Sequence, residues 1–222
     1  MEDYQRRFID LAIQQKALLF GEYTLKSGRV SPYFFNAGRF CDGASLAVLG
    51  DCYAAAIVNS GVEFDVLFGP AYKGIPLATT TAMALARNFE RPTPYCFNRK
   101  EAKTHGEGGD LVGAELTGRA LIIDDVMTAG TAIREVMDIF ARYPVQAAGV
   151  VLGLDRREKG PGAGSQDGRS AAQQVAEEFS IPVMAIIDIG DIIEYLEMEA
   201  DRGDLDSGVL TSVRRYRDSY GV

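Results

Sequence analysis

Four short apolar runs in the middle of the chain constrain its fold most, because none of them alternates apolar with polar residues. They lie at residues 66–68, 120–123, 147–154 and 183–189. Such runs are typical of strands that are buried on both faces of a sheet. Stretches with helical spacing lie between them, at roughly 75–88, 131–142 and 169–179. Strands that alternate with helices predict an α/β domain with a parallel sheet, in which ligands bind beyond the carboxyl ends of the strands.

The first 60 residues have a different pattern. Apolar residues near helical spacing over 4–20 predict one helix, and residues 44–60 predict a second helix that ends before Gly61. Turn signals at 26–28 and 30–32, followed by aromatic residues, predict a hairpin between the two helices. No repeat and no interdomain linker interrupts the sequence, so we expect a single domain over residues 1–222.

Charge and cysteine content exclude several classes of function. The net charge of −8 disfavours binding to nucleic acid or to an anionic membrane, because both require a basic surface. The three cysteines, Cys41, Cys52 and Cys96, are odd in number and scattered, which favours a reducing compartment. Two of them are interpreted as small core residues, because aromatic residues lie beside them. No apolar run approaches the roughly 20 residues of a membrane span, and no signal-peptide pattern opens the chain. The cytoplasm is the expected location.

Residues 121–132 carry the strongest chemical signal. A buried strand ends in Asp124 and Asp125, a Thr-Ala-Gly-Thr turn follows, and a helix then begins. The backbone N–H groups of the turn and of the helix N-terminus form an anion site suited to phosphate, and Gly130 lets a ligand come close. Ionised carboxylates only accept hydrogen bonds, so the acidic pair suits a ribose diol. An Asp turn with a threonine N-cap is the simpler interpretation, but it does not explain why a strand, two aspartates, a Thr-Ala-Gly-Thr turn and a helix follow one another.

This segment resembles the phosphoribosyl pyrophosphate (PRPP) signature of the type I phosphoribosyltransferases. The resemblance implies a parallel twisted sheet flanked by helices, with a core of about 61–190 and a small hood formed mainly by roughly residues 1–60. It also implies that the turn holds the 5-phosphate and that the acidic pair holds the ribose hydroxyls. The PRPP-binding residues expected in this segment are Asp124, Asp125, Val126, Met127, Thr128, Ala129, Gly130, Thr131 and Ala132.

Two further stretches resemble PRPP-binding loops of that family. Residues 71–74 follow the first strand, where the family has its pyrophosphate loop, often with a non-proline cis peptide. Residues 99–109 resemble the mobile catalytic loop of the orotate phosphoribosyltransferases, whose cations neutralise the departing pyrophosphate. Family members commonly have Asp where this chain has Thr104, so no acid role is assigned there. The additional PRPP-binding residues implied are Lys26, Tyr72, Lys73, Arg99, Lys100, Lys103 and His105, and the catalytic residues are Lys103, Asp124 and Asp125.

The pocket for the base is expected to combine the hood with the core. Residues 25–36 resemble the hood strands of the orotate enzymes, in which a lysine reaches the substrate and a Phe-Phe pair lines the base. Arg156 follows the run at 147–154 and matches the arginine that binds the orotate carboxylate. Orotate is a planar anion, which suits an aromatic surface and a guanidinium fork. Core aromatics and a surface ion pair are the alternative interpretations. The orotate-binding residues implied are Lys26, Phe34, Phe35, Thr128 and Arg156.

Other phosphate and metal motifs fail on inspection. Residues 69–74 have the glycine spacing of a P-loop, but Ile75 and Pro76 stand where that motif needs Lys and Ser or Thr. His105 is the only histidine and the cysteines are dispersed, so the ligands for a zinc site are lacking. We expect Mg²⁺ as the cofactor, held mainly by PRPP and with no direct protein ligand.

The resemblance therefore implies transfer of a phosphoribosyl group from PRPP to orotate, a step of pyrimidine (UMP) biosynthesis. It also implies a homodimer in which the loop at 99–109 reaches the neighbouring active site. Two alternatives stay open: a phosphoribosyltransferase for another base, and a PRPP-sensing regulator of the same fold. The hood and Arg156 argue against purines, while the acidic charge and the cations of the loop argue against a regulator. Residues 159–168 have the composition of a flexible connector, and their role stays open.

Overall fold

The computed structural model describes residues 1–25, 27–103, 109–159, 168–203 and 207–222, without the side chains of 101–103 and 207. The helices are α1 Asp3–Gln14, α2 Gly43–Ser60, α3 Gly74–Phe89, α4 Thr131–Phe140, α5 Ala171–Phe179, α6 Ile189–Arg202 and α7 Ser207–Tyr220. The strands are β1 Leu18–Thr24, β2 Val30–Phe35, β3 Val66–Phe68, β4 Tyr95–Lys103, β5 Gly109–Gly113, β6 Gly118–Val126, β7 Val145–Asp155 and β8 Val183–Asp188.

The main sheet has six strands in the order β5-β4-β3-β6-β7-β8. All neighbouring pairs are parallel except β4 with β5, which is antiparallel and lies at the edge. All of β3 is buried, as are residues 120–123 of β6 and 149–154 of β7. Helices cover both faces and give the sheet two hydrophobic cores, one on each side. The predicted α/β class and the predicted central strands are confirmed.

The first 60 residues include an antiparallel hairpin, β1–β2, in which Leu18 pairs with Phe35. The prediction of one helix over 4–20 is wrong in its last turn, because α1 ends at Gln14 and Leu18 lies in a strand. Lys16 has a left-handed backbone (φ +56°), which stops the helix and reverses the chain. Apolar residues at 18–19 fit a helical pattern equally well, so only their pairing with β2 decides their conformation.

The stretch at 99–109 is not loop throughout. Residues 99–103 are the end of β4 and residue 109 begins β5, so strand pairing holds both stems of the predicted catalytic loop. The helices α6 and α7 were also missing from the sequence prediction. Among the residues that the structure describes, no helix is both long enough and apolar enough to cross a membrane.

This topology brings the candidate site together at one edge of the sheet. The strands β3, β4, β6 and β7 are parallel neighbours, so the residues that follow their carboxyl ends lie side by side. Aromatic rings of Phe8, Phe35 and Phe40 pack between the hairpin and α1, with ring centroids 6.1 to 6.4 Å apart. That small aromatic cluster fixes the hairpin to α1.

Candidate active site

The acidic pair lies at the end of β6. Asp125 is buried, and its Oδ2 accepts a hydrogen bond from Lys73 Nζ at 2.6 Å. The Oδ1 of Asp124 accepts from the backbone N–H of Asp125 at 2.9 Å. Burial, followed by the neighbouring Asp125 carboxylate, raises the pKa of Asp124 to about 7. In the free protein, Asp124 is therefore partly protonated near neutral pH.

A buried tyrosine supports the acidic pair from behind. The hydroxyl of Tyr53, on α2, donates to the carbonyl oxygen of Asp124 at 2.9 Å. Gly153 on β7 makes room for this contact, because a Cβ there would lie 2.8 Å from the Tyr53 hydroxyl and 3.1 Å from the Asp125 carbonyl. Sequence reasoning missed both residues, because Tyr53 and Asp124 are 71 positions apart and no local motif links them.

The turn after β6 has the features of a phosphate site. Gly130 adopts a left-handed backbone (φ +72°) and caps α4 without a side-chain hydrogen bond, so the first N–H groups of the helix are open to a ligand. Thr128, Ala129, Thr131 and Ala132 are exposed, whereas Met127 is buried and Val126 is half-buried.

Gly130 also has a structural role that the sequence did not reveal. A Cβ at this position would lie 2.7 Å from Cγ2 of Val175 and 3.1 Å from Nη1 of Arg134. The Nη1 of Arg134 donates to the carbonyl oxygen of Ala129 at 2.7 Å and so fixes the turn from its outer side. A larger residue at 130 therefore disturbs the packing as well as the approach of a phosphate.

The loop at 71–74 lies directly beside the acidic pair. The peptide bond between Ala71 and Tyr72 is cis, the feature implied by the family resemblance. The N–H of Ala71 donates to Oδ1 of Asn98 on β4 at 2.9 Å, which anchors the loop to the neighbouring strand. Tyr72 is 72% exposed, and Lys73 reaches Asp125. Asn98 has no signal in the sequence, because its role depends on the pairing of β3 with β4.

The structure describes only some of the cationic residues that are expected to bind pyrophosphate. Lys100 is exposed, and the Nε of Arg99 is buried without a hydrogen-bond partner among the residues that the structure describes. Lys103 belongs to β4, but its side chain is not among the described ones. Thr104, His105 and the hood residue Lys26 lie outside the described residues.

The two hood phenylalanines point in opposite directions, as successive residues of a strand do. Phe34 is 38% exposed and lies 5.5 Å from the ring of Tyr23. Phe35 is buried and packs against Phe8 and Phe40. The alternative interpretation, a core aromatic, therefore fits Phe35, while Phe34 offers an aromatic surface.

Arg156, at the end of β7, is an ion-paired residue but not a surface one. It is 8% exposed, and its Nε and Nη2 contact Oε1 of Glu158 at 2.7 and 2.6 Å. The Nη2 also donates to Oγ of Ser31 at 3.0 Å, and the guanidinium lies 4.2 Å from the centre of the Tyr33 ring. The structure thus joins the predicted carboxylate-binding arginine to the hood strand β2.

The buried cysteines are not reactive groups of this site. Cys52 and Cys96 are buried, and burial raises the pKa of each thiol to about 12, so neither is a reactive thiolate. The prediction of core residues is confirmed for these two, whereas Cys41 is exposed.

Comparison with known proteins shows the same family over the whole chain. Residues 44–162 match the family described as the phosphoribosyl transferase domain. Orotate phosphoribosyltransferases from Chromohalobacter salexigens and Klebsiella pneumoniae are each 55% identical over 100% of this chain, covering 97% and 100% of those proteins. The crystal structure of orotate phosphoribosyltransferase from Francisella tularensis is 44% identical, with a TM-score of 0.83 over 97% of this chain and 99% of that one. Sequence and fold agree, and the chain belongs to the orotate phosphoribosyltransferases.

Proposed function

We propose that the chain transfers the phosphoribosyl group of PRPP to orotate, giving orotidine 5′-phosphate and pyrophosphate in pyrimidine (UMP) biosynthesis. The observation that carries the proposal is the meeting of Lys73 with the acidic pair beside an open phosphate turn. A cation, two carboxylates and a helix N-terminus match the pyrophosphate, the ribose hydroxyls and the 5-phosphate of one substrate. A related orotate phosphoribosyltransferase, from Mycobacterium tuberculosis, has been solved in complex with PRPP.

The acidic pair orients the ribose in this proposal. Ionised Asp124 and Asp125 accept hydrogen bonds from the two ribose hydroxyls and stabilise the positive charge that develops at the anomeric carbon. Because burial raises the pKa of Asp124 to about 7, PRPP binding at lower pH requires the loss of a proton from that carboxyl. The turn at 128–131 holds the 5-phosphate through its N–H groups and threonine hydroxyls.

Cations around the pyrophosphate provide the main catalytic contribution. Lys73 follows β3, Arg99 and Lys100 lie on β4, and we propose that Lys103 and His105 bind the pyrophosphate together with them. The Nε of Arg99, which is buried without a partner among the described side chains, supports this assignment, because such an N–H costs free energy until an anion binds. Neutralising a leaving group that carries several negative charges lowers the barrier by a few kcal/mol for each well-placed donor.

Magnesium fits the donors at this site when it arrives with the substrate. Mg²⁺ prefers oxygen ligands and is commonly held by one or two carboxylates together with substrate phosphates. In the described part of the chain, no group of three or more His, Cys, Asp or Glu side chains is arranged to hold a metal. The acidic pair offers carboxylate oxygens, one of which is engaged by Lys73. When bound, Mg²⁺ would supply positive charge to the pyrophosphate.

Orotate occupies the space between the hood and the end of β7. We assign an aromatic face to Phe34 and the carboxylate contact to Arg156, and the family resemblance adds Thr128 and Lys26 to the orotate-binding residues. Phe35 was also assigned to the orotate site by the resemblance, and its ring packs against Phe8 and Phe40. Three unpaired cysteines support a reducing compartment, and we place the reaction in the cytoplasm.

A turnover assay with PRPP, Mg²⁺ and a panel of bases tests the proposed reaction. We expect release of pyrophosphate with orotate and little with uracil, adenine or hypoxanthine. The double variant Asp124→Asn/Asp125→Asn is the control, and we expect it to lose turnover while it keeps its fold. Binding of PRPP without turnover of any base would contradict the proposal and favour a PRPP-sensing regulator.

We also propose a homodimer in which the loop at 99–109 acts on the neighbouring active site. Large apolar side chains on and before α3 support a second copy as partner, since Met83 is 63% and Tyr72 is 72% exposed. The loop leaves the sheet between β4 and the edge strand β5, at the margin of the subunit. A two-fold axis makes the exchange reciprocal.

Mixing two inactive variants tests the exchange of loops. One parent carries Lys103→Ala and the other carries Asp124→Asn with Asp125→Asn. Random mixing makes about half of all dimers mixed, and a loop acting in trans leaves one of the two sites intact in each of them. Activity should then recover to roughly a quarter of the wild-type value. No recovery, with mixed dimers verified by mass, would show that each loop serves its own subunit.

A further inference from the structure

Arg156 carries a charge into a site that is almost closed to solvent, and the groups around it hold it there. Glu158 accepts from Nε and Nη2, Ser31 accepts from Nη2, and the Tyr33 ring lies against the guanidinium plane. Tyr216 is a further neighbour of Arg156 and Glu158, and none of the hydrogen bonds described for Arg156 starts from its Nη1 atom. The edge that Glu158 occupies is therefore fixed, and the opposite side of the guanidinium remains for a ligand.

Glu158 is itself held from several directions. Its Oε2 lies 3.8 Å from Nη1 of Arg29, which also donates to the carbonyl oxygen of Lys159 at 2.7 Å. Its backbone forms an antiparallel bridge with Gly221. The N–H of Lys159 then donates to the carbonyl oxygen of Tyr220 at 2.9 Å. These contacts hold the backbone at Glu158 beside the segment that follows α7, and Arg29 contacts its carboxylate.

We propose that Glu158 is a positioning residue for orotate: it fixes the guanidinium of Arg156 so that its free side faces the carboxylate of the base. The proposal rests on the assignment of Arg156 to that carboxylate. A buried arginine without a counter-ion would be costly, and it would turn towards any other acceptor within reach. With Glu158 in place, the charge is compensated in the resting state and the donors are already oriented, which lowers the ordering cost of binding.

Competition is the opposite possibility, and the geometry argues against it. Both contacts from Arg156 go to a single oxygen, Oε1, through the Nε and Nη2 edge. A guanidinium has five N–H donors, so a second carboxylate can bind the Nη1 side without displacing the first. Glu158 also has its own partner, Arg29, which offsets its repulsion of an incoming anion.

Two product-like nucleotides that differ only in the carboxylate isolate this effect. We would measure the Kd of orotidine 5′-phosphate and of uridine 5′-phosphate by calorimetry. For Glu158→Ala we expect the Kd of orotidine 5′-phosphate to rise at least about tenfold, with that of uridine 5′-phosphate within about twofold. Glu158→Gln keeps an oxygen that accepts from Arg156, so we expect a smaller rise in the Kd of orotidine 5′-phosphate. This variant replaces the alanine variant if that one folds poorly.

Two controls separate failure of this proposal from failure of the base site. Glu197→Ala removes the partner of Arg214 in an exposed ion pair, and both affinities should stay unchanged. Arg156→Ala should remove the preference for orotidine 5′-phosphate. Arg156→Ala could weaken orotidine 5′-phosphate more than uridine 5′-phosphate while Glu158→Ala leaves both affinities unchanged or raises them. That result would overturn only the positioning role of Glu158. Equal weakening of both nucleotides in Glu158→Ala would show a structural role, and equal weakening in Arg156→Ala would overturn the base site and with it this proposal.

Discussion

Replacing Asp124 by Asn should stabilise the free protein at and above neutral pH while it weakens PRPP binding. Burial and the Asp125 carboxylate raise the pKa of Asp124 from 3.8 to about 7, so the folded state keeps a proton that the unfolded state has already lost. Between these values the folded protein binds more protons than the unfolded chain, and its stability falls as the pH rises. Asn does not titrate, and its Oδ1 can still accept from the backbone N–H of residue 125.

The size of the effect follows from the two pKa values. At about 1.4 kcal/mol per pKa unit, the difference between 3.8 and about 7 limits the gain to about 4 kcal/mol at high pH. Part of that cost of ionisation is already present at pH 5, so the advantage of Asp124→Asn should grow by about 2 to 3 kcal/mol between pH 5 and pH 8.

Urea unfolding of the wild type and the variant at several pH values measures this difference. Asp138→Asn is the control, because it removes the same charge from an exposed position on α4 and should change stability by less than about 0.5 kcal/mol. An advantage of Asp124→Asn that does not change between pH 5 and pH 8 would refute the reasoning. So would a variant that is less stable than the wild type at pH 8.

Three further predictions concern the same edge of the sheet. Because Asp124 must be ionised to accept from a ribose hydroxyl, kcat/KM for PRPP should rise with pH through about 7, and a profile that is flat from pH 6 to 8 would contradict this. Tyr53→Phe removes the hydroxyl that donates to the Asp124 carbonyl, so it should cost about 1 kcal/mol in unfolding experiments and raise KM for PRPP severalfold without changing that for orotate. Tyr195→Phe, which loses a hydroxyl contact elsewhere, should change only stability. Asn98→Ala leaves the N–H of Ala71 without its acceptor, and kcat/KM for PRPP should fall by about tenfold or more in steady-state assays; a normal value would mean that the loop holds itself.

The predictable parts of the site are those whose signal is local. Asp124, Asp125 and the turn at 128–131 follow one another along the chain, so strand, turn and helix could be identified together. The sequence could not show that Lys73 pairs with Asp125, because 52 residues separate them. It also could not distinguish the directions of Phe34 and Phe35, which depend on which face of β2 meets the core.

By itself, the sequence determined the α/β class, the central parallel strands and the PRPP segment, because burial on both faces and turn chemistry leave local patterns. Only the tertiary structure decided that residues 18–19 form a strand, that 99–103 extend β4, and which residues support the site from behind. Tyr53 and Asn98 each act through one contact made across the fold. A hydrogen bond between distant residues imposes no periodicity on either segment. It therefore leaves no pattern in the sequence and stabilises the protein only once the chain has packed.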